Sequence, residues 1–279
     1  LKLWVFCGNL QVVLRIKIYK KVDNMDKDTF SEYISFNLLE NKECEEFPGM
    51  YGTGFFIKTI KNIYYITARH CLLNSTADQN SDIPKLMISV NTNTGTNFEK
   101  EEFLVCFSEY IMEEQRDDCD IEDFIIFMVD KEKNEQDYEV IAKRAFDVSL
   151  GLGMDMDNLL NYLVTEKKNV YIKGFPRTES NVCYDSKIIR LGLCEFTGEL
   201  VGSPCVNYYE IENMNWKDKD KDDGFNGFSG SPVYVSIGFL NFEPRPTLLG
   251  MLINGTSHKC RFLGITPIFD FIKRIERDI

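Results

Sequence analysis

The sequence predicts an all-β protein in two units that closes on a C-terminal helix, and three observations predict it. After Pro48 the chain runs as short apolar stretches rich in β-branched and aromatic residues, separated by polar turn clusters such as NTNTGTN at 91–97. These stretches fall into two groups on either side of a segment of different texture at 147–168. The tail carries apolar residues at 268, 269, 272 and 275, which is helical spacing. Many short strands with turn signals between them are the pattern of barrels and sandwiches.

Residues 1–47 read as an N-terminal extension. The segment LKLWVFCGNLQVVLRIKIYKK is apolar and basic, but Gly8, Asn9, Gln11, Arg15 and Lys17 interrupt it, so it makes a poor membrane span. Met25 opens MDKDTFSEYISFNLLE, an ordinary acidic start with a short helix, and residues 1–24 are expected to lie upstream of the native start. The first β unit covers 48–146, with strands expected at 55–58, 63–67, 85–91, 103–107 and 124–129. A hairpin turn is expected at 60–62 and a short helix over 138–146. The linker, 147–168, ends in MDMDNLLNYLVTEKK, a short amphipathic helix. The second unit covers 169–279, with strands expected at 169–173, 187–193, 206–211, 233–237, 248–253 and 262–265 and a helix over 268–277.

The 279 residues are 44% hydrophobic and 27% charged, the balance of a globular protein, and the formal net charge is -12. An acidic surface disfavours nucleic acid and anionic membrane as partners. Nine cysteines are scattered with no CxxC pair, which gives a zinc site no support. Free thiols in a reducing, cytoplasmic compartment fit that pattern. No metal or organic cofactor is implied.

Ser229 lies in GFSGSPVY, between two glycines and directly before an apolar strand. A serine there is either a solvated turn residue or a nucleophile on a tight turn, and a nucleophile needs a base and an orienting acid. The chain has two histidines. His258, in the polar NGTSHKC, reads as a surface residue, whereas His70 follows an apolar strand in NIYYITARHCL. EEQRDDCDIED offers Asp117, Asp118, Asp120 and Asp123 as acids, of which Asp123 stands at the mouth of the strand FIIFM. The nucleophile elbow of α/β-hydrolases is a rival reading of G-F-S-G-S. It requires an acid and then a histidine after the serine. Only Glu243 and His258 are available there, and the earlier chain does not alternate strand and helix.

YGTGFFIKTIKNIYYITARHCL, DIEDFIIFMV and GFSGSPVY, in that order, resemble the histidine, aspartate and serine segments of trypsin-like serine proteases. GFP at 174–176 resembles the opening of that family's second barrel, and LLGMLING and FLGITPI resemble the strands that wall its specificity pocket. The resemblance covers about residues 48–279. It implies two six-stranded antiparallel β-barrels of the chymotrypsin type with a C-terminal helix. It also implies a serine endopeptidase acting on a protein or peptide substrate. His70 would be the base and acid, Asp123 (alternatively Asp120) the orienting acid, and Ser229 the nucleophile. The backbone N–H groups of Gly227 and Ser229 would form the oxyanion hole. Asp223, Ile253, Asn254 and Gly255 would belong to the substrate pocket, where Asp223 would favour a Lys or Arg side chain. Asp223 also ends the charge run KDKDKDD, and such a run is more often a solvated loop.

The chain departs from the family pattern in three places. Phe228 stands where secreted members carry the aspartate of their activation switch, so no trypsin-style zymogen step is expected. Ser231 replaces the second glycine of the serine motif. Cys71 has no cysteine partner on the preceding strand, where Phe55 and Phe56 stand, so the family's usual histidine-loop disulfide is not expected. These departures point to an intracellular, bacterial-type member. A protease always active in the cytoplasm would be hazardous, so control by a regulatory partner or by narrow substrate choice is expected. The alternative is a binding module that keeps the protease fold without its activity.

Overall fold

The computed structural model describes residues 2–7, 10–20, 31–39, 49–73, 86–90, 104–111, 123–148, 156–183, 188–202, 205–215, 225–237, 245–256 and 258–278. The chain runs β1 (Lys2–Cys7), β2 (Leu10–Lys20), β3 (Ile34–Leu39), β4 (Gly49–Lys58), β5 (Ile63–Ala68), β6 (Leu86–Met87), β7 (Phe107–Ile111) and β8 (Phe124–Val129). It continues through α1 (Tyr138–Lys143), β9 (Ala145–Asp147), α2 (Met156–Thr165), β10 (Asn169–Gly174), β11 (Asn181–Cys183), β12 (Ile188–Val201) and β13 (Tyr208–Glu212). It closes with β14 (Pro232–Ile237), β15 (Arg245–Gly255), β16 (Cys260–Gly264) and α3 (Ile265–Asp278). The molecule is mostly β, in two predominantly antiparallel sheets with few helices.

The first sheet has seven strands in the order β6-β3-β4-β5-β8-β7, with β9 on β4. The second has nine, in the order β1-β2-β12-β10-β14-β15-β16-β13, with β11 on β12. Neither is the expected set of six. The additions are β2, which lies parallel to β12, and short strands such as β9, which lies parallel to β4. The β4–β5 turn falls where the sequence places it. The Thr59 N–H donates to the Asn62 carbonyl at 2.9 Å and closes the loop, and the Thr59 hydroxyl oxygen accepts the N–H groups of Lys61 and Asn62 at 3.1 and 3.0 Å.

Four expectations are corrected. The short helix expected after Met25 is, over the described residues, a 3-10 turn at Ser31–Tyr33 followed by strand β3. All six residues of β3 are buried, the polar Ser35 and Asn37 included, and the strand is paired with β4 on one side and β6 on the other. The first sheet therefore takes in residue 34 onwards rather than starting at 48. The strand expected at 85–91 is two residues long, and the one expected at 103–107 reduces to a bridge between Ser89 and Leu104 before β7 begins. The helix expected over 138–146 ends at Lys143. There the Arg144 guanidinium turns inward, donating to the carbonyls of Ser89 and Val90 at 2.5 Å each and to the Ser35 hydroxyl at 2.5 Å. Ala145 and Phe146 then join β4.

Alternation in the first sheet divides its side chains between two clusters. Phe56, Tyr65, Ile125 and Phe127 pack into one with Ile88, Val105 and Ile141. Phe55, Ile57, Tyr64, Ile66, Phe124 and Ile126 face the other way. They share a cluster with Val170, Ile172, Phe196, Val233 and Met251 of the second sheet, and with α2 and α3. The expected amphipathic segments supply those helices: Met156, Leu160 and Leu163 from α2, and Ile265, Ile268, Phe269 and Ile272 from α3. Each such side chain contributes about 1.5–3 kcal/mol on full burial. This shared core holds the two sheets together and brings the ends of β5, β8 and β14 into one region.

Candidate active site

Strand pairing brings His70 and Asp123 together. β5 and β8 are antiparallel neighbours, and Ala68 pairs with Phe124 at the end of the ladder. The next residues on each strand therefore meet, and the Arg69 N–H donates to the Asp123 carbonyl at 3.3 Å. The chain then turns through a 3-10 turn, Arg69–Cys71. Asp123 uses both carboxylate oxygens on His70: Oδ1 accepts the backbone N–H at 3.0 Å, and Oδ2 accepts Nδ1–H at 2.5 Å. The imidazole is half-exposed, at 43%, and the carboxylate less so, at 25%. The bond to Asp123, followed by one to Cys71, pushes the His70 pKa up from 6.5 to about 10 against the opposing effect of burial.

Ser229 comes from the second sheet, on the turn that leads into β14. Thr53 of β4 ties that turn to the first sheet. Its N–H donates to the Ser229 carbonyl at 2.9 Å, and its hydroxyl donates to the Gly227 carbonyl at 2.8 Å while accepting the Phe175 N–H at 3.1 Å. The Thr53 carbonyl in turn accepts from the Thr67 hydroxyl at 2.7 Å and from Asn37 Nδ2 at 3.2 Å. Asn37 Oδ1 accepts the buried Tyr65 hydroxyl at 2.7 Å, so the network is rooted in the first sheet's core. The sequence reading passed over Thr53, whose only signal is its place in Y-G-T-G. Thr53→Val keeps the shape and leaves the Phe175 N–H and the Gly227 carbonyl without that partner. It is expected to cost about 1–3 kcal/mol per orphaned buried group, seen as a lower denaturant midpoint at unchanged slope.

Gly227 has φ of +98°, and a Cβ there would lie 2.5 Å from the Phe175 carbonyl oxygen, so the turn requires glycine. Among the described residues, the N–H groups of Gly227 and Ser229 have no acceptor, whereas Gly230 and Ser231 donate to Leu252 and Phe228. The turn therefore offers two unpaired donors beside the serine. Phe228 anchors it from below: the side chain is fully buried, with its ring centroid 5.2 Å from that of Phe196 and 5.1 Å from that of Phe225. Ser231 is also fully buried, and its hydroxyl has no hydrogen-bond partner among the described residues.

The His70–Asp123 pair and Ser229 adjoin across the contact between the sheets. Cys71, next to His70, donates weakly from its thiol to the Ser229 carbonyl at 3.6 Å. The residue opposite Cys71 is Gly52, where a Cβ would stand 2.6 Å from Sγ. Cys71 is a free thiol, and Phe55 and Phe56 of the preceding strand are turned into the two cores. The Ser229 hydroxyl is not bonded to His70. It donates to the Ile253 carbonyl at 2.9 Å, a partner that a sequence does not display.

The remaining candidates are dispersed. Ile253 is buried and Asn254 and Gly255 are exposed at the end of β15. A Cβ on Gly255 would lie 2.7 Å from the Phe225 ring and 2.5 Å from Cys260, so an aromatic ring lines that end of the strand. Asp117, Asp118, Asp120, Asp223 and Glu243 lie outside the described residues. His258 is exposed, and its N–H donates to the Thr256 hydroxyl at 3.3 Å. Among the described residues no group of three metal-ligating side chains occurs, and no helix is long and apolar enough to cross a membrane. Compared with protein-family models and with curated proteins, the chain matches none.

Proposed function

We propose that this chain is a trypsin-like serine endopeptidase built on a double β-barrel of the chymotrypsin type. His70 is the general base and acid, Asp123 its orienting carboxylate, Ser229 the nucleophile, and the N–H groups of Gly227 and Ser229 the oxyanion hole. The observation that carries the reading is the two-point bond between Asp123 and His70 set beside a serine on a turn with two unpaired N–H donors. Asp123 fixes the imidazole with Nδ1 protonated, which leaves Nε2 to take the serine proton and return it to the leaving amine. The serine adds to the substrate carbonyl, the amine departs, and water releases the acyl group by the same steps. The two N–H groups stabilise the oxyanion of each tetrahedral intermediate. Burial of Phe228 holds their turn by apolar packing in place of an ion pair, which supports a turn formed without a cut N-terminus.

A second reading has one observation in its favour. The Ser229 hydroxyl is bonded to Ile253 rather than to His70, as it would be in a module that kept the fold and lost the chemistry. A fluorophosphonate probe separates the two. An active enzyme becomes labelled at Ser229, located by peptide mass spectrometry, and Ser229→Ala does not. A folded wild type that stays unlabelled supports the binding module.

A further inference from the structure

We propose that the Ile253 carbonyl is a latch: it holds the Ser229 hydroxyl away from His70 until a backbone N–H of an extended peptide takes its place. This rests on the hydrolytic reading above and adds to it a condition for activity.

Three features of β15 carry the inference. First, its pairing with β14 stops short. The ladder ends at Pro232 with Met251, the last backbone bonds on that side run between Leu252 and the pair Gly230 and Ser231, and β15 continues to Gly255 with β16 as its neighbour. Second, the register with β16 slips between Leu252 and Asn254, which places Ile253 at a bulge. Bulges redirect backbone groups and end pairing, and they recur beside functional sites. Third, the carbonyl so exposed accepts the Ser229 hydroxyl at 2.9 Å. A hydroxyl has one proton to donate, and here it is donated to Ile253. While that bond lasts, Nε2 of His70 has no proton to accept from Ser229.

An unpaired strand end accepts an extended chain, because main-chain N–H and C=O groups supply the bonds that a neighbouring strand would. A peptide laid along 253–255 brings an amide N–H to the Ile253 carbonyl. It competes directly with the serine, and the displaced hydroxyl is then free to donate to the unprotonated imidazole of His70. The device discriminates by rate: reagents without an N–H donor, a fluorophosphonate among them, still react but must break the Ser229–Ile253 bond unaided and do so more slowly, whereas peptides open it.

The test uses two peptidyl phosphonates with the same leaving group. One carries an acylamino group on the carbon next to phosphorus, and the other is its isostere with oxygen in place of N–H. Saturation kinetics of inactivation separate the maximal rate from the half-saturating concentration. The latch predicts that loss of the N–H lowers the maximal rate by about tenfold, the equivalent of one ordinary hydrogen bond, with little change in half-saturation. A loss confined to half-saturation makes the Ile253 carbonyl a plain binding contact and overturns the latch while the protease reading stands. Failure of both reagents to modify Ser229 in folded protein overturns the protease reading, and the latch with it. A structure of the acylamino adduct is expected to show that amide nitrogen within hydrogen-bond distance of the Ile253 oxygen; the oxygen left empty or elsewhere engaged also overturns the latch.

Discussion

Asp123→Asn is expected to lower kcat for peptide hydrolysis by about 10⁴-fold with little loss of folding stability. Asp123 makes two bonds to His70. Its Oδ1 accepts the His70 backbone N–H and its Oδ2 accepts Nδ1–H. Asparagine keeps one acceptor and replaces the other by an NH₂ donor. If its oxygen stays on the backbone N–H, the NH₂ faces Nδ1, and the imidazole must carry its proton on Nε2. That is the atom required to accept the proton of Ser229, so the base is lost although every residue remains in position. The pH profile gives an independent readout. The bond to Asp123 is the largest cause, and that to Cys71 the next, of a His70 pKa raised to about 10. The base acts only when unprotonated, so wild-type hydrolysis should climb with pH on the alkaline side of neutrality. In Asp123→Asn the largest cause is removed, the pKa relaxes towards 6.5, and the acid limb moves to lower pH while the plateau falls. Profiles of kcat/KM against pH for both proteins check this. An unmoved limb, or a plateau within an order of magnitude of wild type, would remove Asp123 from the mechanism.

The site divides between the sheets in a way that explains what a sequence reader can and cannot find. The meeting of His70 and Asp123 is legible because each terminates an apolar strand, and two adjacent antiparallel strands bring their ends together once Ala68 faces Phe124. Ser229 is legible from the glycines around it, which a tight turn requires. Three other features are not legible. Ile253 acts through its carbonyl, which every residue possesses, and a register slip selects it. Thr53 acts through a bond pattern reaching from residue 53 to residues 175, 227 and 229, and no local motif encodes such reach. Gly52 faces Cys71 with a φ of +80° and no room for a Cβ beside the thiol, a close approach between distant residues that no local motif displays. At fold level, β5 and β8 are found in place, because the short β-branched and aromatic runs IYYITA and FIIFMV between turn signals suit a buried strand. Segment 34–39, ISFNLL, carries apolar residues at 34, 36, 38 and 39, a pattern too short to exclude a turn of helix, and its pairing with β4 and β6 makes it a strand.

Gly230→Ala is expected to be among the most destabilising single substitutions in the chain, and to silence the site even at temperatures where the protein remains folded. Two costs add. Gly230 has φ of +85°, where a side chain is disfavoured by about 1–2 kcal/mol. A Cβ there would also collide with the Thr53 carbonyl oxygen and approach the Thr67 hydroxyl to 2.7 Å. Neither neighbour can yield cheaply. The Thr53 carbonyl is backbone, held by Thr67 and Asn37, and Thr67 Oγ1 is itself an acceptor for Asn37 at 2.8 Å. Overpacking of this kind costs about 1–3 kcal/mol, so the total is about 2–5 kcal/mol against a whole-protein stability of about 5–15. The strain cannot be confined to residue 230. Its N–H is bonded to the Leu252 carbonyl, and its neighbour's carbonyl is bonded to Thr53. Relief of the clash must therefore move the 227–230 turn away from β4, carrying the Gly227 and Ser229 N–H groups with it. The substitution should lower the melting temperature by about 5–15 °C, and fluorophosphonate labelling at a temperature well below the new midpoint should slow by more than tenfold. A variant that melts with wild type would mean that the two sheets do not meet at Thr53 and Gly230, and the coupling of the nucleophile's turn to the histidine-bearing sheet would have to be abandoned.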